Sequence, residues 1–138
     1  MKYYLKLKKN KIIYLILLII FFFKTNSYSE EITGYAKVID GDTISIKGNK
    51  IRLYGIDAPE NNQICSKPWL SLNIITLNKD YECGLKTTNL LKKFVKNEIL
   101  VCKKKSTDRY NRVVAICFKK RRDINSWLVR NGLAVAYT

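Results

Sequence analysis

The sequence predicts a mainly β (α+β) domain, a five-stranded Greek-key barrel of the OB-fold type carrying two helices. Three observations lead there: strand-like runs come first, one helical pattern stands before the fourth strand, and a second follows the fifth. Residues 32–39 are rich in β-branched and aromatic side chains and read as the first strand. Residues 43–47 alternate, with Ile44 and Ile46 on one face; Gly48-Asn49 is a two-residue turn signal, and residues 50–54 return as the partner strand. Residues 59–84 read as a long irregular stretch, interrupted by Pro68. Residues 85–97 set Leu90, Leu91, Phe94 and Val95 against Lys92, Lys93 and Lys96, the pattern of an amphipathic helix. Residues 99–102 and 112–118 read as two strands, joined by a basic, polar turn over 103–111. Asp123 is placed to cap a second helix whose Ile124, Trp127 and Leu128 point inward and which Asn131-Gly132 ends. A last apolar segment covers residues 134–137.

Ahead of these elements the chain carries a different composition. Residues 1–11 are basic and hold no acid, and residues 12–23 form an unbroken apolar run, shorter than the roughly 20 residues a bilayer span requires. Small side chains at Ser27 and Ser29 suit a signal-peptidase site. The expectation is therefore an export signal over residues 1–29, with an uncleaved membrane anchor as the alternative, and one domain over residues 30–138. The protein is then periplasmic or secreted, or held on the membrane by that anchor.

The whole chain has 26 Lys and Arg against 11 Asp and Glu. The leader holds six of the lysines and no acid, which leaves the domain at net +9. Such an excess suits a polyanion, since each neutralised phosphate releases counterions, and equally suits a solvated surface. All four cysteines lie in the exported part. With no C-x-x-C pair and no histidine to complete a zinc site, they are expected to form disulfides. Cys102 and Cys117 sit in neighbouring strands and are paired, leaving Cys65 with Cys83.

The chain contains no histidine. That removes the commonest proton-transfer residue, so any hydrolysis must run on carboxylates, a metal ion and guanidinium groups. Three phrases supply them: Asp40-Gly41-Asp42-Thr43, Arg52-Leu53-Tyr54-Gly55-Ile56-Asp57-Ala58-Pro59-Glu60, and Asp108-Arg109-Tyr110-Asn111-Arg112. Asp42 and Asp57 fall at the same end of one hairpin, where two ionised acids repel unless a cation joins them. All-oxygen ligation of that kind, with backbone carbonyl near Ala58, suits Ca²⁺ or Mg²⁺. Glu60, held rigidly by Pro59, is the candidate for activating water. Arg52 and Arg112 offer planar guanidinium groups for bidentate phosphate binding. Period-two counting puts Arg52 and Asp57 on opposite faces unless Gly55 bends the strand. Tyr110 and Tyr137 are suited either to stacking on a nucleotide or to packing at the core edge.

These phrases, together with Asp123-Ile124-Asn125-Ser126-Trp127-Leu128-Val129-Arg130-Asn131-Gly132-Leu133-Ala134, resemble the staphylococcal nuclease (thermonuclease) family in order and spacing over residues 32–137. The resemblance implies an OB-fold endonuclease that uses Ca²⁺, with Mg²⁺ or Mn²⁺ as alternatives, to cleave DNA and RNA and leave 3′-phosphate ends. It implies Asp42, Asp57 and the Ala58 carbonyl as metal ligands and Asp40 as an acid supporting them. Arg52, Glu60 and Arg112 would be catalytic and Tyr110 a nucleotide contact. No stable protein partner is implied. Alanine at 58 and asparagine at 111 depart from the usual threonine and glycine of the family. Family members continue past the last apolar segment into a further helix, which this sequence is expected to lack. The alternatives to an active nuclease are a non-catalytic nucleic-acid-binding OB module and a truncated, poorly folded relic.

Overall fold

A computed structural model describes residues 30–72 and 75–137. The expected export segment, residues 1–29, lies outside them. Ten strands and two helices follow in order: β1 (Glu31–Val38), β2 (Thr43–Ile46), β3 (Asn49–Leu53), β4 (Ile56–Asp57), β5 (Cys65–Leu72), β6 (Ile75–Tyr81), α1 (Cys83–Val95), β7 (Ile99–Thr107), β8 (Val113–Lys119), β9 (Arg122–Asp123), α2 (Ile124–Arg130) and β10 (Val135–Ala136). Among these described residues no helix is long and apolar enough to cross a membrane.

Strands β1, β2 and β3 form an antiparallel meander, and β7 pairs with β1 and β8 on its other side. A parallel pairing of β3 with β8 then closes the ring. The result is the five-stranded mixed barrel with two helices that the order of elements predicts. Alternation in β2 and β3 turns Ile44, Ile46, Ile51 and Leu53 inward, where all are fully buried. Leu91 and Val95 from α1 and Ile124 and Leu128 from α2 join the same core. Each such side chain contributes about 1.5–3 kcal/mol on burial. Phe94 and Trp127 stack at 3.9 Å between ring centres, locking the two helices together at the barrel's end.

Both expected disulfides are present, Cys65–Cys83 and Cys102–Cys117. Cys102 and Cys117 stand directly opposite in the β7–β8 ladder and are fully buried, so this bridge is part of the core.

Local structure departs from the sequence reading in three places. The hairpin turn falls on Lys47-Gly48, one residue earlier than expected, because Lys47 (φ 50°) and Gly48 (φ 84°) together supply the two left-handed positions of a tight turn. The basic run beyond residue 102 is not a turn: β7 extends to Thr107, pairing Lys103 with Ile116 and Lys104 with Ala115. Partnership with a well-defined neighbour outweighs the low strand propensity of lysine. Residues 59–84 are not irregular either, since β5 and β6 form a separate antiparallel hairpin. A register shift between Pro68 and Leu70 breaks its alternation, which hides the strands from a period-two search. The hairpin leaves Trp69, Leu70, Ile75 and Leu77 exposed, and Cys65–Cys83 ties its base to α1.

Candidate active site

The β1–β2 connection is a tight loop in which the amides of Ile39 and Asp40 both donate to the Thr43 carbonyl, at 2.9 and 3.0 Å. Gly41 is needed here for room rather than for a special φ. A Cβ at this position would meet the Ala58 Cβ at 2.8 Å and Thr87 Cγ2 at 2.9 Å. That close approach lays the Asp40-Gly41-Asp42 segment against the strand carrying Asp57 and against α1.

Asp42 is buried, and its two oxygens are both engaged. Oδ1 accepts from the Thr43 hydroxyl at 2.8 Å, and Oδ2 accepts from Arg52 Nη1 at 2.6 Å. Thr43 and Arg52 are direct partners in the β2–β3 ladder, which accounts for the short reach. Arg52 Nη2 donates to Asp57 Oδ1 at 2.9 Å, so one guanidinium bridges both acids. Burial alone would loosen the Arg52 proton, but the charges of Asp42 and Asp57 and their hydrogen bonds outweigh it and hold the proton more firmly than usual.

The contact between Arg52 and Asp57 corrects the simple alternation count. Gly55 takes a left-handed conformation (φ 71°) between β3 and β4 and resets the phase. The turn is held from outside: the Tyr54 amide donates to the Ala115 carbonyl, Asn125 Nδ2 donates to the Tyr54 carbonyl at 2.8 Å, and the Tyr137 amide donates to the Gly55 carbonyl. Pairing of β4 with β10 fixes Asp57 opposite Val135.

Glu60 follows on an exposed loop braced at both ends. The Gln63 amide donates to the Glu60 carbonyl at 2.8 Å, and the Glu60 amide donates to Gln63 Oε1 at 3.1 Å. Gly84, at the start of α1, packs so closely that a Cβ there would collide with the Glu60 carbonyl oxygen. The Glu60 carboxyl is held above its ordinary range first by a hydrogen bond shared with Asp40, then by the charges of Asp40, Asp42 and Asp57 and a little burial. Sequence reading missed Gly84; its signal is a glycine in a helix's first turn, where it costs about 1 kcal/mol relative to alanine without a packing reason. Gly84→Val is expected to cost about 1–3 kcal/mol through overpacking. By displacing Glu60 it should also lower any cleavage about 10²-fold, since misplacement of order 1 Å has that effect. A chemical melt beside an activity assay checks both.

Arg112 comes from the turn joining β7 to β8. Asp108 organises it: Oδ1 accepts from the amides of Tyr110 and Arg112, both at 2.9 Å, and Oδ2 accepts from Arg112 Nε at 2.7 Å. Asn111 adopts the left-handed conformation (φ 59°) expected of a glycine substitute. Burial opposes ionisation of Asp108, but the hydrogen bonds and charge of Arg112 prevail and hold its carboxyl below the usual range. The Arg112 guanidinium lies 5.4 Å from the centre of the exposed Tyr110 ring. Asp108 was visible in the motif, but its role as the orienting partner of Arg112 was not.

Arg52, Asp57, Glu60, Arg112, Tyr110 and Tyr137 all line one open cleft of about 680 Å³. Asp42 sits behind Arg52, and Asp40 behind Glu60. Ala58 lies against Gly41 at the edge of the same rim. The donors on offer are carboxylate and carbonyl oxygens, the chemistry of a hard cation. The repulsion that Glu60 feels is negative charge that such a cation would offset. Among the described residues no three acidic or cysteine side chains already converge as a ligand set. Arg52 bridges Asp42 and Asp57, but it engages only Oδ1 of Asp57, whose side chain is 60% exposed and keeps its second oxygen outside that contact.

A closed OB barrel bearing arginines and carboxylates around one rim cleft defines the class of protein. Residues 50–138 match the staphylococcal nuclease homologue family, and the chain belongs to that family. It is 38% identical over 109 residues to the succinoglycan biosynthesis protein ExoI of Rhizobium meliloti (strain 1021), covering 78% of this chain and 53% of that protein. It is 32% identical over 106 residues to an uncharacterized endonuclease of Haemophilus influenzae, covering 73% and 49% of the two chains. An uncharacterized endonuclease of Escherichia coli is 30% identical over 126 residues, covering 87% and 71%. The chain thus spans about half the length of the first two relatives.

Proposed function

We propose that the protein is an exported, Ca²⁺-dependent endonuclease that hydrolyses phosphodiester bonds of DNA and RNA with little sequence selectivity and leaves 3′-phosphate ends. The observation that carries this reading is the shared cleft, which sets Arg52 and Arg112 beside Glu60 and Asp57. Asp42, Asp57 and the Ala58 carbonyl are the groups that would hold the ion, with Asp40 supporting them. When bound, Ca²⁺ supplies positive charge against the phosphate oxygens.

The chain's own groups divide the remaining work. Glu60 takes a proton from the attacking water, whose oxygen forms the new bond to phosphorus. The bond from phosphorus to the 5′-oxygen breaks, which leaves phosphate on the 3′ side, and the departing oxygen is protonated from solvent. Arg52 and Arg112 grip non-bridging oxygens and neutralise the charge that grows on them. Tyr110 and Tyr137 flank the cleft and stack on the nucleotide. Contacts of this kind engage the backbone rather than base edges, hence the low selectivity. Export rests on the basic and apolar character of residues 1–29.

Digestion of plasmid DNA by the oxidised protein, with Ca²⁺ and with excess chelator, tests the reading. Cleavage is expected only with the ion, and its products should resist 3′ extension until treated with phosphatase. Cleavage that persists in chelator would remove the metal from the proposal. Binding without cleavage under either condition would favour a non-catalytic OB module.

A further inference from the structure

The outer face of the β7–β8 ribbon leads away from the cleft. Ser106 and Val114 face each other across this ladder, and both line the cleft. Two positions further along β8, Ile116 faces Lys103, and two beyond that Phe118 faces Val101. The intervening Ala115 and Cys117 are fully buried, so Val114, Ile116 and Phe118 share the outward face. Lys103 stands half-exposed on that face, in an exposed ion pair with Glu31 at 3.5 Å and with its ammonium 6.0 Å from the Phe118 ring centre.

The ribbon ends in the turn Lys119-Lys120-Arg121-Arg122. These four cations and Glu98 line a hollow of about 570 Å³. Lys119 Nζ donates to the Phe94 carbonyl at 2.7 Å at the end of α1, and the Arg122 guanidinium lies 5.7 Å from the Phe94 ring centre. Both are thereby fixed in place. Glu98 pairs with Lys120 at 3.2 Å and Lys119 at 3.8 Å, which leaves a clear surplus of positive charge on a concave surface. Like charges gathered this closely repel, and an anion seated among them relieves the repulsion.

From Arg112 to Lys119 is roughly 23 Å along the strand at about 3.3 Å per residue. One strand of a duplex covers that in about seven nucleotides at its 3.4 Å spacing, and an extended single strand covers it in fewer. We infer that the 119–122 turn is a second phosphate-binding site, an exosite that holds the nucleic-acid backbone roughly 23 Å from the bond cut in the cleft, about seven nucleotides along a duplex strand and fewer along an extended single strand, with Lys103 between the two. This rests on the nuclease function proposed above and adds a length requirement to it. Strands too short to bridge cleft and turn gain nothing from the exosite.

The test is a charge reversal, Lys120→Glu with Arg121→Glu, which spares Lys119 and Arg122. A control pair, Lys67→Glu with Lys79→Glu on the β5–β6 hairpin, makes the same change in net charge elsewhere. Binding of a 20-nucleotide single strand is measured in chelator across a salt series, so that no turnover is needed. Losing two phosphate contacts should flatten the salt dependence of log K by about 1.4 in the turn variant, and not in the control. With Ca²⁺, KM for the 20-mer should rise about tenfold while cleavage of a tetranucleotide is unchanged, since salt-dependent contacts act on long strands only. If the glutamate pair lowers the melting temperature, Lys120→Gln with Arg121→Gln is measured instead, with the same change in slope expected. Equal slopes in all proteins, or equal losses in turn and control variants, would overturn the exosite. A wild-type protein that binds the strand without cutting it would refute the nuclease reading while the slopes still decide the exosite. A protein that binds no strand at all would refute both.

Discussion

Glu60→Ala is expected to lower DNA cleavage by roughly 10²- to 10⁴-fold, the usual contribution of a positioned proton-transfer group, without unfolding the protein. The side chain is exposed, and its backbone, not its carboxyl, carries the bonds to Gln63 that brace the loop. Its environment is unfavourable to the ionised form, because the hydrogen bond with Asp40 and the charges of Asp40, Asp42 and Asp57 raise its pKa. A carboxyl whose pKa is raised on folding contributes stability below its unfolded pKa and loses it as pH climbs through the folded value. In chelator at neutral pH, Glu60→Gln should therefore melt at the wild-type temperature or slightly above. In acid that advantage should vanish. A variant that loses activity only because it unfolds would show the opposite, an early melt at neutral pH. Activity equal to wild type would remove Glu60 from the mechanism and leave the arginine cleft in place.

Arg52→Ala has the second large effect, and it acts on stability as well as rate. Asp42 is buried and loses its charged partner, keeping only the Thr43 hydroxyl. Leaving a buried carboxylate unpaired costs about 3 kcal/mol. Cleavage should fall by roughly 10²- to 10³-fold or more, as when one donor to a developing oxyanion is removed. The same deletion vacates the space between Asp42 and Asp57. Millimolar Ca²⁺ should then raise the melting temperature of the variant more than that of wild type, because an ion at free concentration c that binds only the folded state stabilises by RT ln(1 + c/Kd) and loss of the guanidinium tightens binding. Equal shifts in both proteins would show that Arg52 does not obstruct the ion, and no shift in either would show that Asp42 and Asp57 do not share one. This comparison needs no catalytic turnover.

The features of the site that were legible in the sequence are local ones. The acids of the β1–β2 loop and the Arg52-to-Glu60 phrase belong to segments whose turns carry their own glycine or proline. The order of strands and helices, and the pairing of Cys102 with Cys117, follow from patterns confined to short windows. The β5–β6 hairpin escaped because one register shift near Pro68 destroys the alternation on which strand recognition depends. The length of β7 escaped because three successive lysines have little strand propensity of their own. Their partners come from elsewhere in the chain, from the facing strand β8 and from the start of β1, where the Glu30 carbonyl accepts from the Lys104 amide.

By itself the sequence determined the repertoire: no histidine, a net positive domain, oxygen ligands and two arginines in fixed motifs, and four cysteines to brace a small core. The tertiary structure alone decided which of these meet. Arg52 reaches Asp57 only because Gly55 resets the strand's phase. Glu60 stands at the cleft because Gly84 lets α1 approach its backbone. Arg112 comes to the same rim because β8 closes the barrel on β3, two strands far apart in sequence. Such contacts depend on a residue's neighbours in space, and closure of the barrel sets those neighbours in a way that no window of adjacent residues encodes.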